Sequence, residues 1–112
     1  MNVTISSGAS LSGAFDTGAT TSTAKIVGFI MPAAWTAADL TFQGSDDNTT
    51  FNDVYDDNDA EVTVQAAQAR AIGLRNDAQQ LLSSFRYLKI RSGTTGTPVT
   101  QTPARTIVAL LK

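Results

Sequence analysis

Short segments in which apolar and polar residues alternate recur along the chain, and turn-forming residues separate them. Alternation with a period of two is typical of β-strands that bury one face. In residues 86–92, Leu88 and Ile90 point towards the predicted interior. The side chains predicted to point outward from the same segment are Tyr87, Lys89 and Arg91. Segments of this kind at short intervals predict an all-β sandwich or barrel.

The same pattern places the other strands. Residues 25–31 are apolar on both faces, which predicts a central strand, and Gly28 within it predicts a bulge or a close backbone approach. Asn76 or Asp77 is predicted to cap a single helical turn that ends at Leu82. We predict an antiparallel jelly-roll β-sandwich of about eight strands, as one domain over residues 1–112. The predicted strands are residues 3–6, 10–16, 25–31, 39–45, 51–55, 61–64, 70–74, 86–92 and 105–111, with a Gly/Thr/Ser loop at 16–23.

The inward positions of these strands predict the hydrophobic core. Its expected members are Phe15, Ile26, Phe29, Ile30, Leu40, Phe42, Val62, Val64, Leu88, Ile90, Ile107 and Ala109. Thr41 and Gln43, which alternate with Leu40 and Phe42, are expected to be exposed. The single Trp35, close to Pro32, has two interpretations. A plug at one end of the core is favoured over an exposed platform on which a sugar ring stacks.

Composition narrows the chemistry. The chain has no Cys and no His, which excludes disulfides, thiolate or imidazole metal sites and a Ser–His catalytic arrangement. The glycines form no phosphate-binding loop. The first residues lack the pattern of a secretory signal, and no apolar run approaches the roughly 20 residues of a membrane span. We therefore predict a protein made in the cytoplasm, without enzymatic activity, cofactor or membrane association.

Residues 46–61 carry the densest run of carboxylates in the chain, seven in sixteen residues. Calcium prefers such oxygen ligands, but the spacing of an EF-hand loop is absent, and solvated hairpin turns are the commoner explanation. A catalytic carboxylate pair among Asp53, Asp56 and Glu61 is disfavoured, because turn-rich sequence gives little shelter to raise a pKa. The same charges repel nucleic acid.

Acidic and basic residues are separated along the sequence. Residues 1–69 contain nine acids and one base, whereas residues 70–112 contain seven bases and one acid. Two interpretations remain open: the charges pair locally because distant strands are neighbours in a sandwich, or they form an acidic and a basic surface that meet in an assembly. The first is favoured.

Two resemblances follow from particular motifs. The run LTFQGSDD at residues 40–47, the aromatic Phe51 and the strand RYLKI at 86–90 resemble the jelly-roll domains of the discoidin and galactose-binding-like superfamily. The segments SGASLSGAFD, IVGFIMPAAWTAADLTFQGSDDNTTF and RYLKIRSGTTGTPVTQTPARTI resemble small proteins encoded among the structural genes of tailed bacteriophages. That second resemblance implies a virion component, of the head decoration (cement) or fibre-associated type.

The expected function is therefore structural. The chain is predicted to bind the major capsid protein or other virion proteins, as an oligomer, and to reinforce the particle or display a surface. The segment through Ser12 and the loop 92–103 are the predicted contact surfaces, and deleting residues 1–8 is expected to leave the fold intact. The predicted contact residues are Asn2, Val3, Thr4, Ile5, Thr95, Thr97 and Val99. The alternative is a carbohydrate-binding module of a phage head or tail fibre, with Trp35, Tyr87, Lys89 and Arg91 as its platform.

Overall fold

Two four-stranded antiparallel sheets make up the described part of the chain, residues 1–18 and 25–112 of a computed structural model. The strand orders are β1-β8-β3-β6 and β2-β7-β4-β5, so each sheet combines strands from both ends of the chain. This is the order of an eight-stranded jelly roll, which confirms the predicted fold class. The elements are β1 Asn2–Ile5, β2 Phe15–Asp16, β3 Ile26–Ile30, β4 Leu40–Ser45, β5 Asn52–Asp53, β6 Ala71–Gly73, α1 Asn76–Ser83, β7 Tyr87–Ser92 and β8 Arg105–Leu111.

The two sheets enclose one hydrophobic core. Phe29 of β3 and Phe42 of β4 are both fully buried and stack across the sandwich, with ring centroids 6.0 Å apart. Ten of the twelve predicted core residues are buried, and Phe15 is half-buried because β2 is a two-residue edge strand. The prediction for Ile30 is wrong: its side chain is 40% exposed. The core also contains Val3, Ile5, Met31, Trp35, Val54 and Leu82, which the predicted set left out.

The bulge at Gly28 determines which apolar side chains of β3 face the core. The pairing of β3 with β8 shifts register between Ile26 and Gly28, which confirms the predicted bulge. A Cβ at Gly28 would lie 2.5 Å from the Ile72 backbone oxygen, so the close backbone approach is present as well. After the bulge Phe29 points inward, and Ile30 must then point outward because successive side chains alternate.

Several strands are shorter than predicted. Within the expected strand 10–16 only Phe15 and Asp16 form a regular strand, although the Ser12 amide still donates to the Ile90 carbonyl at 2.8 Å. Residues 61–64 form isolated bridges, with Val62 and Val64 buried as predicted. Most of the loop predicted at 16–23 lies outside the described residues.

The segment before β7 forms a helix longer than the single turn predicted. It spans Asn76–Ser83, and Leu82 anchors it in the core. The predicted cap at Asn76 or Asp77 is wrong, because Arg75 occupies the N-cap position in an extended conformation and its side chain caps nothing. Across residues 1–18 and 25–112, no helix has the length and apolar character needed to cross a membrane.

Candidate functional site

The outer face of the β2-β7-β4-β5 sheet gathers most of the chain's polar chemistry. The pairing of β4 with β7 places Thr41 beside Arg91 and Gln43 beside Lys89, all on the outer face of the sheet. On the other side of β4, Asp53 pairs with Gln43. Side chains on one face of neighbouring strands are close enough to interact. The strands therefore bring an acidic residue from the first half of the chain next to the basic strand β7.

Arg91 is the centre of this face, and its side chain is enclosed rather than exposed. Its Nη2 donates to Asp53 Oδ1 at 2.5 Å, and its Nη1 donates to Glu61 Oε2 at 3.4 Å. Nη1 also donates to the hydroxyls of Thr95 at 3.0 Å and Thr41 at 3.4 Å. The residue is 7% exposed, so the prediction of an outward, accessible cation is wrong. We refer to these five side chains as the Arg91 cluster.

The loop after β7 closes over the cluster. The backbone amide and the hydroxyl of Thr95 both donate to the Glu61 carboxylate. Thr41, which was predicted to be exposed, is fully buried beneath this loop, where its hydroxyl donates to the Gly93 carbonyl at 2.7 Å. The cluster therefore fastens the 92–103 loop to the sheet.

The electrostatics of the cluster favour the ionised form of the Asp53 carboxylate. The hydrogen bond from the Arg91 guanidinium lowers the pKa of Asp53 from its usual value, and burial opposes this only in part. Outside the cluster, a further ion pair from Arg86 Nε to Asp16 Oδ2 at 3.4 Å links the basic and acidic halves at the sheet edge. Both observations favour local pairing of the two halves over separate acidic and basic surfaces.

The four residues of the predicted sugar platform do not form one surface. Trp35 is 6% exposed and its indole Nε1 donates to the Ala38 carbonyl at 3.0 Å, which confirms that it is a core residue. Arg91 is enclosed in its cluster. Tyr87 and Lys89 remain half-buried at the surface. The Arg86 guanidinium lies 5.0 Å from the Tyr87 ring centroid, and the Lys89 ammonium lies 4.3 Å from the Phe51 ring centroid. Each ring is therefore already in contact with a cation of the same chain.

The carboxylates of the acidic segment shape turns. Asp47 Oδ1 accepts from the amides of Thr49 and Thr50, both at 2.9 Å, and these bonds, strongest from Thr50, lower the Asp47 pKa. Asp56 Oδ1 accepts from the amides of Asn58 and Ala60 in the next turn. Both turns were predicted. Within the described ranges, no group of three or more acidic side chains is placed to hold a metal ion.

A groove that the sequence did not reveal lies beside β5. It encloses about 550 Å³, and Tyr55, 45% exposed, stands on its wall. The Phe85 ring packs on Gly44, where a Cβ would lie 2.7 Å from the ring. Only a glycine at that position of β4 allows the ring to lie there. The other lining residues include Asp46, Asn52, Asp53 and Ser84.

The outer face of the β1-β8-β3-β6 sheet has the opposite character, and we call it the uncharged face. Ile30 and Leu110 are its most exposed large side chains, at 40% and 37%. The strand registers place these residues on it: Asn2, Thr4, Gly28, Ile30, Ala71, Gly73, Thr106, Val108 and Leu110. None is charged. Lys25 and Lys112 exchange backbone hydrogen bonds just beyond one end of the face.

The predicted contact residues divide by burial. The side chains of Val3 and Ile5 lie in the core, so their assignment to a contact surface is wrong, whereas Asn2 and Thr4 are exposed. Deleting residues 1–8 would remove these two core side chains together with all of β1, so the structure argues against an intact fold after that deletion. In the second predicted segment, Thr95 and Thr97 are exposed and Val99 is half-buried.

Comparison with protein-family models, with curated proteins and with solved structures found no match to this chain. The function is therefore inferred from the geometry of the chain. It offers an internally paired polar face, an open groove beside β5 and the uncharged face.

Proposed function

We propose that the chain is a non-enzymatic structural protein of a virus particle, which binds the capsid surface as a decoration or cement subunit. The observation that supports this most is the uncharged face. Exposed apolar patches mark interaction sites, and the centres of protein interfaces are depleted in charge. Ile30 and Leu110 project from this face, and a jelly roll holds both on rigid neighbouring strands.

The mechanism is burial of this face against a complementary surface. Complete burial of an aliphatic side chain stabilises by about 1.5–3 kcal/mol, so the exposed parts of Ile30 and Leu110 supply roughly 1 kcal/mol each. Such contacts are weak singly, and they become strong when an oligomer of the chain places several linked copies on the same repeating lattice. Lys25 and Lys112 at the margin of the face would favour a partner whose rim is acidic.

Two further considerations agree with this assignment. Jelly rolls occur in viral capsid proteins as well as in lectins, although a fold alone does not determine function. The resemblance to proteins encoded among phage structural genes covers most of the chain. On this proposal the protein is located in the virion, with the major capsid protein as its partner.

The test is reconstitution on particles of a virus whose genome encodes the chain. Purified particles should contain the protein, and particles stripped of it should rebind the added chain at a fixed stoichiometry. The double variant Ile30→Asp/Leu110→Asp should lose rebinding while keeping the wild-type circular dichroism spectrum. The matched control Ala34→Asp, an exposed site outside the strands, should rebind normally. Absence of the protein from the particles, or full rebinding of the double variant, contradicts the proposal.

The groove beside β5 favours carbohydrate binding on a phage head or fibre as the second candidate. Tyr55 offers an exposed ring for stacking, and the neighbouring amide, hydroxyl and carboxylate groups suit the hydroxyls of a sugar. A glycan array separates the two candidates. Binding that is lost in Tyr55→Ala and kept in Tyr87→Ala supports this candidate, whereas no glycan binding by the wild type rejects it.

A further inference from the structure

The edge of the first sheet at β1 has unpaired backbone groups. Met1 and Ala109 exchange hydrogen bonds of 3.0 and 2.8 Å, which sets the bonding alternation between β1 and β8. Val3 and Ile5 therefore bond to β8, while the N–H and C=O groups of Asn2 and Thr4 point away from it. In residues 1–18 and 25–112, the backbone groups of these two residues meet no partner.

This edge differs from the other three sheet edges. The strands β2 and β5 have two residues each and β6 has three, and short edge strands are poor templates for pairing. β1 has four residues, Asn-Val-Thr-Ile, with no charge, no Pro, no Gly and no bulge. Natural sheets usually carry one of these devices where an edge must remain single. β1 therefore has the properties of an edge that pairs.

We propose that β1 pairs antiparallel with β1 of a second copy of the chain, across a two-fold axis. In the register centred on Val3, Asn2 of one copy faces Thr4 of the other, and the two such pairs exchange about four backbone hydrogen bonds. The side chains that flank the seam are Asn2, Thr4 and Thr106, so no like charges oppose each other. The pairing joins two four-stranded sheets into one and doubles the uncharged face.

Sedimentation of the full chain tests the pairing. The wild type should sediment at twice the 11.8 kDa chain mass. Thr4→Pro removes an outward N–H and leaves the bonds to β8 intact, so this variant should sediment as a folded monomer. Thr4→Lys should do the same by placing two cations close to the axis. The matched control Thr4→Ala keeps the backbone amide and should remain dimeric.

Backbone amide exchange provides a readout that does not depend on a variant that folds. The amides of Asn2 and Thr4 should exchange more slowly as the protein concentration rises, because pairing protects them. A wild type that sediments as an 11.8 kDa monomer at every concentration overturns the inference, as does a Thr4→Lys variant that stays dimeric. The inference goes beyond the proposed function: a monomer that rebinds particles refutes only the pairing, and a dimer that ignores particles refutes only the capsid proposal.

Discussion

The free energy of unfolding should depend non-additively on the two carboxylates of the Arg91 cluster. Asp53→Asn or Glu61→Gln alone leaves the guanidinium one carboxylate partner, whereas the double variant leaves it none. The cation would then lie 7% exposed among neutral amides and hydroxyls. An unpaired buried charge is far more costly than a missing hydrogen bond, so the two substitutions should not be additive.

The magnitudes follow from the geometry. Each single substitution should cost about 1–2 kcal/mol, at the lower end of values for hydrogen bonds to charged groups because the Asp53 side chain is 28% exposed. The double variant should cost about 3–5 kcal/mol, the range for breaking a buried ion pair. At about 4 °C per kcal/mol, its melting temperature should fall by roughly 12–20 °C.

Urea unfolding followed by tryptophan fluorescence measures these differences, because the buried Trp35 becomes exposed only when the core opens. Asp57→Asn, in an exposed turn outside the cluster, is the matched control and should leave the midpoint unchanged. A double variant whose loss equals the sum of two small single losses would refute the view that Arg91 is an enclosed charge held by both carboxylates.

Three further predictions concern the core, the bulge and the acid response. Gly28→Ala should destabilise by about 2 kcal/mol or more in urea unfolding, because its Cβ would lie 2.5 Å from the Ile72 oxygen, whereas Gly73→Ala, with open space, should change little. Trp35→Ala should cost about 3–5 kcal/mol and lower the calorimetric melting temperature. The Asp53 carboxylate has a lowered pKa in the folded state, so its stabilisation is complete above the unfolded pKa of about 3.9 and is lost as the pH falls through the lower folded value. The stability difference between wild type and Asp53→Asn should therefore shrink in acid titrations.

The local pattern of the sequence determined where most of the strands lie. Period-two alternation identified β7, and turn residues bounded β4 and the acidic hairpins, because side-chain direction and turn geometry depend on nearest neighbours. The number and spacing of these strands predicted an all-β sandwich or barrel, and the jelly roll was what the motif resemblance implied. Gly28 could be identified as a bulge because a glycine within an apolar strand has few other uses.

Other features were decided by contacts between distant residues. Arg91 and Thr41 occupy outward positions and are nevertheless buried, because Glu61 and the 92–103 loop close over them from other parts of the chain. Whether Ile30 or Phe29 faces the core depended on a register shift against β8. Contacts between distant residues also created the uncharged face and the face that holds the Arg91 cluster, because each sheet combines strands from both ends of the chain.

The sequence by itself thus determined where most of the strands lie and which residues turn the chain, since backbone geometry acts within a few residues. Only the tertiary structure decided which outward residues are covered and which apolar ones remain exposed. Covering depends on strand order, and strand order is set by packing between segments far apart in sequence. In this chain, tertiary packing encloses Arg91 and leaves Ile30 and Leu110 exposed on the face that we propose as its contact surface.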